Sequence, residues 1–276
     1  MPGTHHRLRR DLASALAEFL EPEEAQAECV RWFEDGFGLS RAWLAVHGAE
    51  PVPEAREQQV ATWLLRRRAG EPWAYLLGWT WFRDRRFELS PATLIPRPET
   101  ELLVEAALDI GQRLGVDRCV DVGTGSGIIA VTLALETTWR VSATDLSPGA
   151  LAVARANAEQ LGARLQFHEG SLLEPVPDPL GLVVANLPYV DPAEQPALQR
   201  ELAFEPASAL FAPERGLALS KLLLSQARAR QAPACLLEIG AAQGGELCRW
   251  AVGLGWAKAL VHQDFAGHDR ILIALA

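Results

Sequence analysis

The stretch RCVDVGTGSGIIAVTLALETTWRVSATD, residues 118–145, decides the fold class. RCVDVG (118–123) is short and apolar, the pattern of a strand buried on both faces. Five residues follow in which glycine alternates, Gly123-Thr124-Gly125-Ser126-Gly127, and then a helical pattern over 127–136. RVSATD (140–145) reads as a second strand that ends on Asp145. A strand, a glycine turn, a helix and a second strand make one right-handed crossover, the unit of a parallel sheet covered by helices.

Working outward, the alternation continues through a helix at 148–161 and strands RLQFHEG (164–170), GLVVAN (181–186) and ACLLEIG (234–240). The end of the chain differs. WAKALVHQDF (256–265) and RILIALA (270–276) are separated by only Ala266-Gly267-His268-Asp269, too short for a crossover, so this pair should be antiparallel. The expectation is an α/β protein with a mostly parallel seven-stranded sheet of Rossmann type and a C-terminal antiparallel hairpin.

Toward the N-terminus the pattern is helical. Leu8, Leu12, Leu16 and Phe19/Leu20 recur at helical spacing, as do Val60, Leu64 and Leu65; Ser40 is placed to cap a short helix carrying Trp43 and Leu44. Residues 1–75 therefore read as a small all-helical domain. GWTWFRDRRFELSPATLIPRPET (78–100) sets apolar and aromatic residues around Arg83-Asp84-Arg85, which suggests a β-hairpin linker over 76–97; the sheet domain then occupies 98–276.

Composition bounds the function. At 276 residues, 49% hydrophobic and 22% charged, the chain is an ordinary globular protein. A net charge of −9, with Lys221 and Lys258 the only lysines, weighs against a nucleic-acid partner. The basic runs Arg7–Arg10 and Arg66–Arg68 read as solvated helix faces. Cys29, Cys119, Cys235 and Cys248 are scattered, with no histidine at metal spacing, so they read as reduced thiols and no metal site is expected. No apolar run approaches the roughly 20 residues that span a bilayer, and the polar N-terminus lacks a signal-peptide core; a cytoplasmic protein without a membrane partner is expected.

The glycine loop places backbone N–H groups at a helix N-terminus, and Asp145, about twenty residues on, is where a carboxylate accepts ribose hydroxyls. A nucleoside cofactor is expected. Gly125-x-Gly127-x-x-Ala130 also fits a relaxed NAD fingerprint, but Asp121 beside the loop suits an ammonium and repels a pyrophosphate. S-adenosylmethionine carries that ammonium.

The fourth strand ends in Asn186-Leu187-Pro188-Tyr189, an amide, a proline and a ring where a turn would serve. Beside the first strand, at the switch point of the sheet, this end should border the cofactor. A planar nitrogen is a poor nucleophile until it pyramidalises. Two acceptors aimed at its two hydrogens, the Asn186 side-chain oxygen and the Leu187 carbonyl, would hold it and favour the charge that develops. Pro188 keeps residue 187 extended, and Tyr189 offers a flat face to the target.

These motifs, with LIPRPETELLVEAAL (94–108), ATDLSPGALAVARANA (143–158), FEPASALF (204–211), LLEIGAAQG (236–244) and DFAGHDRILIA (264–274), resemble the HemK/PrmC-type release-factor glutamine N5-methyltransferases over nearly the whole chain. The resemblance implies a class I methyltransferase sheet behind a helical substrate-recognition domain. It also implies methyl transfer from S-adenosylmethionine to the glutamine of the Gly-Gly-Gln loop of bacterial class 1 peptide chain release factors. Carried over by position, Asp121, Gly123, Thr124, Gly125, Ser126 and Gly127 line the methionine part of the cofactor. Asp145 and Leu146 serve the ribose end, Ser171 and Leu172 flank the adenine, and Asn186 also borders the cofactor. Asn186, Leu187, Pro188 and Tyr189 grip the glutamine amide, with Pro96 and Arg97 at its pocket. Leu187 replaces a proline usual in the family, Ser171 an acidic residue, and PERGLALSK (213–221) departs from the usual Gly-x-Asp-Gly-Leu pattern.

Two other enzymes compete. An adenine-N6 methyltransferase of rRNA or DNA shares the Asn-x-Pro-Tyr logic but should bring basic grooves. An NAD-dependent oxidoreductase needs a hydride-transfer acid, and His5, His6, His47, His168, His262 and His268 offer no convincing candidate. A non-catalytic binding module has little use for both a cofactor site and an amide site.

Overall fold

The computed structural model describes residues 3–276; Met1 and Pro2, at the head of the expected helical domain, lie outside the described residues. Two compact units divide the chain, one running to Gly78 and the other Trp79–Ala276.

The first unit is helical: α1 His5–Leu16, α2 Pro22–Phe37, α3 Arg41–His47, α4 Glu54–Arg68 and α5 Trp73–Leu77. Local chemistry sets the ends. The Thr4 hydroxyl accepts from the Arg7 N–H and Ser40 Oγ from the Trp43 N–H at 3.1 Å, while Gly38, at φ 67°, closes α2 in the left-handed region. Leu12, Leu16, Trp32, Phe33, Val60, Trp63 and Trp73 form the core. Phe19 and Leu65 are exposed, because Phe19 lies beyond the end of α1 and Leu65 on the outer side of α4. The run Arg66–Arg68 is not wholly a solvated face. Arg67 is buried, its guanidinium bidentate to Glu28 at 2.8 and 3.1 Å, and Trp32 Nε1 donates to the same carboxylate at 3.2 Å.

The second unit opens with a hairpin, β1 Trp79–Phe82 and β2 Arg85–Glu88. Phe82 and Phe87 pack with Leu103 and Val104 in one core of this unit, so the hairpin is part of it rather than a free linker. Then follow α6 Thr100–Leu114, β3 Arg118–Val122, α7 Ile128–Glu136, β4 Arg140–Asp145, α8 Pro148–Leu161, β5 Gln166–Glu169 and β6 Leu182–Ala185. Two 3-10 turns, Pro192–Ala197 and Arg200–Phe204, lead to α9 Ala207–Leu210, α10 Ala218–Ala229, β7 Ala234–Glu238, α11 Gly244–Gly253, β8 Lys258–Gln263 and β9 Asp269–Leu275.

The seven-stranded sheet runs β5-β4-β3-β6-β7-β9-β8. β3 pairs in parallel with β4 and with β6, so the order reverses between β3 and β6, and β9 pairs antiparallel with both β7 and β8. The strand expected beside the first is there. β6 and β7 are buried at every residue, as strands covered on both faces must be, and one apolar core lies on each face of the sheet. Among the described residues no helix is long and apolar enough to cross a membrane.

Candidate active site

A cavity of about 390 Å³ opens at the C-terminal ends of β3, β4 and β6, within the roughly 300–1,000 Å³ typical of small-molecule sites. Its position follows from topology, since loops leave the sheet in opposite directions at the switch point.

The glycine loop forms its floor. The Gly123 and Thr124 N–H groups both donate to the Thr144 carbonyl at 2.9 Å, which ties the loop to the end of β4. Gly123, Gly125 and Gly127 all have φ between +55° and +85°, where a side chain is strained. Gly125 has nothing within 4 Å of where a Cβ would stand, so a ligand can approach its backbone. Its N–H donates to Asp145 Oδ2 at 2.9 Å, and Ser147 N donates to Asp145 Oδ1 at 2.8 Å. Each carboxylate oxygen keeps a lone pair, enough for a diol.

Thr124, Ser126, Leu146, Ser171 and Leu172 also line the cavity. Leu146 is exposed at its rim. Leu172 sits at φ 47°, uncommon for a branched side chain, and its carbonyl accepts from the Thr144 hydroxyl at 3.0 Å.

Asp121 departs from the expectation of an open carboxylate beside the loop. It is fully buried and does not line the cavity. Its Oδ2 accepts from Thr124 Oγ1 at 2.6 Å and from Ala130 N at 3.2 Å, so it braces the loop from below. Burial pushes its pKa up to about 7, with the nearby Asp145 charge adding to the shift. Its Oδ1 has no partner among the described residues.

Asn186, Leu187 and Pro188 line the cavity where β6 ends. Asn186 Nδ2 donates to Thr100 Oγ1 at 3.2 Å, which leaves Oδ1 as the end without a protein partner among the described residues. Leu187 is buried, its Cδ2 2.9 Å from where a Gly123 Cβ would stand, so the side chain packs on the loop, while its backbone carbonyl has no hydrogen-bond donor among the described residues. Tyr189 does not line the cavity. Its hydroxyl donates to Glu238 Oε1 at 3.3 Å and its carbonyl accepts from Gln243 Nε2 at 2.8 Å, so the ring is tethered rather than presented as a free face. Burial, then the Glu238 charge, raises the Tyr189 pKa, and the hydroxyl keeps its proton.

Pro96 lines the cavity but Arg97 does not. The Arg97 guanidinium pairs with Glu205 at 2.5 Å, and the other Glu205 oxygen accepts from Ile95 N at 2.9 Å. This clamp joins the segment before α6 to the segment before α9, where Pro206, Ser208 and Ala209 complete the cavity wall. Glu205, Thr100 and Glu238 carry no local signal of their own. Glu205 lies in FEPASALF and Thr100 in the Pro-Arg-Pro-Glu-Thr run, but their partners are distant in sequence.

The site thus joins a glycine cradle and a diol-accepting carboxylate to a pair of hydrogen-bond acceptors, an arrangement able to hold a nucleoside beside an amide. Similarity to known proteins is consistent with it. Residues 8–78 match the PrmC N-terminal domain and residues 119–203 a methyltransferase domain. The chain is 42% identical over 243 residues to the release factor glutamine methyltransferase of Bordetella pertussis, covering 86% of this chain and 90% of that protein. The enzyme of the same name from Enterococcus faecalis is 36% identical over 265 residues, 94% of this chain and 95% of that protein. Among solved structures, the hMettl16 catalytic domain in complex with the MAT2A 3′UTR hairpin 6 superposes with a TM-score of 0.59 at 14% identity, covering 80% of this chain and 82% of that one. At that identity the likeness concerns the fold alone. With curated relatives of one name matched over most of their length, this chain belongs to the release factor glutamine methyltransferase family.

Proposed function

We propose that this chain methylates the side-chain amide nitrogen, N5, of the glutamine in the Gly-Gly-Gln motif of class 1 release factors, with S-adenosylmethionine as donor. The observation that carries this reading is the Asn186 amide. Its nitrogen is held by Thr100, and its oxygen is left for a ligand in the same cavity as the glycine loop and Asp145.

The residues fit the donor. The open backbone at Gly125 and the remaining lone pairs of Asp145 suit its methionine and ribose parts, and the buried Asp121 braces the loop from below through Thr124 and Ala130. S-adenosylmethionine, when bound, supplies an electrophilic methyl carbon on a positively charged sulfur. The chain does the rest by positioning. Asn186 Oδ1 and the Leu187 carbonyl accept the two hydrogens of the glutamine –NH2 and orient its lone pair. As nitrogen becomes tetrahedral and positive, these bonds shorten and strengthen. The proton then leaves to solvent, because a methylated, cationic amide nitrogen is a strong acid. Leucine at 187 serves as proline would, since the role belongs to the carbonyl.

The first unit, matched to the PrmC N-terminal domain, is assigned to recognition of the protein substrate. Work on a translation factor places the enzyme in the cytoplasm, where the free thiols Cys29, Cys119, Cys235 and Cys248 stay reduced.

The test is transfer of labelled methyl to a purified release factor, with the modified residue located by mass spectrometry. Asn186→Ala should lower kcat by about 10²–10³ with little change in cofactor affinity, the usual loss for one preorganised contact to a transition state. Label appearing in RNA and not in release factor would overturn the assignment.

A further inference from the structure

Asn186 works only one way round. Its amide ends in an acceptor oxygen and a donor –NH2 of nearly the same shape, and only the oxygen can take a hydrogen from a substrate amide. Something has to choose between them.

Thr100, fully buried at the start of α6, lies between two groups. Its Oγ1 is 3.2 Å from Asn186 Nδ2 and 2.7 Å from Glu238 Oε2. Glu238 ends β7, is itself buried, and takes the Tyr189 hydroxyl on its other oxygen at 3.3 Å. A hydroxyl has one proton to give. An ionised carboxylate only accepts, so the Thr100 proton goes to Glu238, and the Thr100 lone pairs are left to accept from Asn186 –NH2. The amide oxygen is thereby turned to the cavity.

We propose that Glu238, acting through Thr100, is a positioning residue that sets which end of the Asn186 amide faces the substrate, and that protonation of Glu238 turns the amide over. A protonated Glu238 donates to Thr100 Oγ1. The Thr100 proton, no longer taken by Glu238, is then free for Asn186, and pairing it turns the amide oxygen inward and the –NH2 to the cavity. The proton comes from solvent and no covalent bond beyond O–H changes.

The groups around Glu238 place this switch in a physiological range. Thr100 and Glu99 face it from α6 and its N-cap, Tyr189 from the turn after β6, and Arg270 from β9. Arg270 is itself shared with Asp264 at 2.8 Å and Glu99 at 3.9 Å, which dilutes its pull. Burial outweighs the hydrogen bonds from Thr100 and Tyr189 and brings the Glu238 pKa up to about 7.

The inference rests on Asn186 receiving a substrate amide, so its test includes a readout that needs no substrate. In protein carrying ¹⁵N-labelled asparagine side chains, the Asn186 –NH2 resonances should shift with a midpoint near pH 7, and in Glu238→Gln they should not titrate. Single-turnover methyl transfer should rise about tenfold from pH 6 to 8 in the wild type and stay flat in Glu238→Gln. Thr100→Val should lower the transfer rate about 10–100-fold at unchanged cofactor affinity, and Thr100→Ser should restore it. If Thr100→Val does not fold, the amide titration in Glu238→Gln decides alone. An active enzyme whose Asn186 amide ignores pH, or a Glu238→Gln variant with the wild-type pH limb, overturns the relay. An amide that titrates as described in a protein inactive on release factor upholds the relay and sinks the substrate assignment.

Discussion

Asp121 and Glu238 are carboxyl groups withdrawn from water, 0% and 2% exposed, and both have pKa values raised to about 7 by burial. In the unfolded chain each titrates near 4. The folded protein therefore holds these protons more tightly, so the stability they contribute is fully present below about pH 4 and is lost as pH rises through 7. Each is worth on the order of 4 kcal/mol across that window, at about 1.4 kcal/mol per pH unit. Glu136 acts in the opposite sense, because Arg85 and Arg83 lower its pKa, but its contribution is lost only as pH falls below the ordinary carboxylate range. Urea unfolding should thus show lower stability at pH 8 than at pH 5, and both Glu238→Gln and Asp121→Asn should flatten the slope. Stability that climbed from pH 5 to 8 would show that these two carboxyls are ionised throughout. The same ionisation that turns Asn186 toward its substrate costs the fold stability, a tension common in active sites.

Among the elements, the turn from β3 into α7 carries the tightest constraint. Gly127 caps α7 at φ 85°, and a Cβ there would stand 3.0 Å from Ala154 Cβ and 3.1 Å from Ala154 Cα on α8. Gly125, at φ 55°, faces open space. Gly125→Ala should then cost only the left-handed strain, about 1–2 kcal/mol. Gly127→Ala adds a clash with a helix backbone and should cost about 2–4 kcal/mol by urea unfolding. Equal costs would mean that α8 yields freely at Ala154. Much of this turn was legible in the sequence, because alternating glycines after an apolar run announce a left-handed backbone that other residues adopt only with strain. The orientation of Asp121 was not. A carboxylate two residues before the loop can point up to a ligand or down into the core, and the Thr124 hydroxyl with the Ala130 N–H draws it down.

At the scale of the molecule, each unit has a core of its own. Trp32, Phe33 and Leu16 centre the first, and the two faces of the sheet centre the second. A chain beginning at Trp79 should therefore fold and bind S-adenosylmethionine, provided that the hairpin bearing Phe82 and Phe87 is retained. On intact release factor it should show a much raised KM with a smaller change in kcat, since the first unit is assigned to docking and not to chemistry. Steady-state kinetics with the full protein substrate check this, and unchanged kinetics would remove the first unit from recognition.

The amino-acid sequence alone determined the alternation of strands and helices, the antiparallel finish, the glycine cradle with Asp145, and the amide at the end of the fourth strand. Each is written in residues close along the chain, where period, glycine and proline act directly on φ and ψ. Only the tertiary structure decided what surrounds them. Thr100 meets Glu238 across 138 residues, Ile95 meets Glu205 across 110, and Arg67 meets Glu28 across 39. Whether a charged side chain is buried, and by what it is held, depends on which ends and faces the folded sheet and bundle bring together. No local pattern encodes that meeting, because the partners share no turn, strand or helix until the chain has folded.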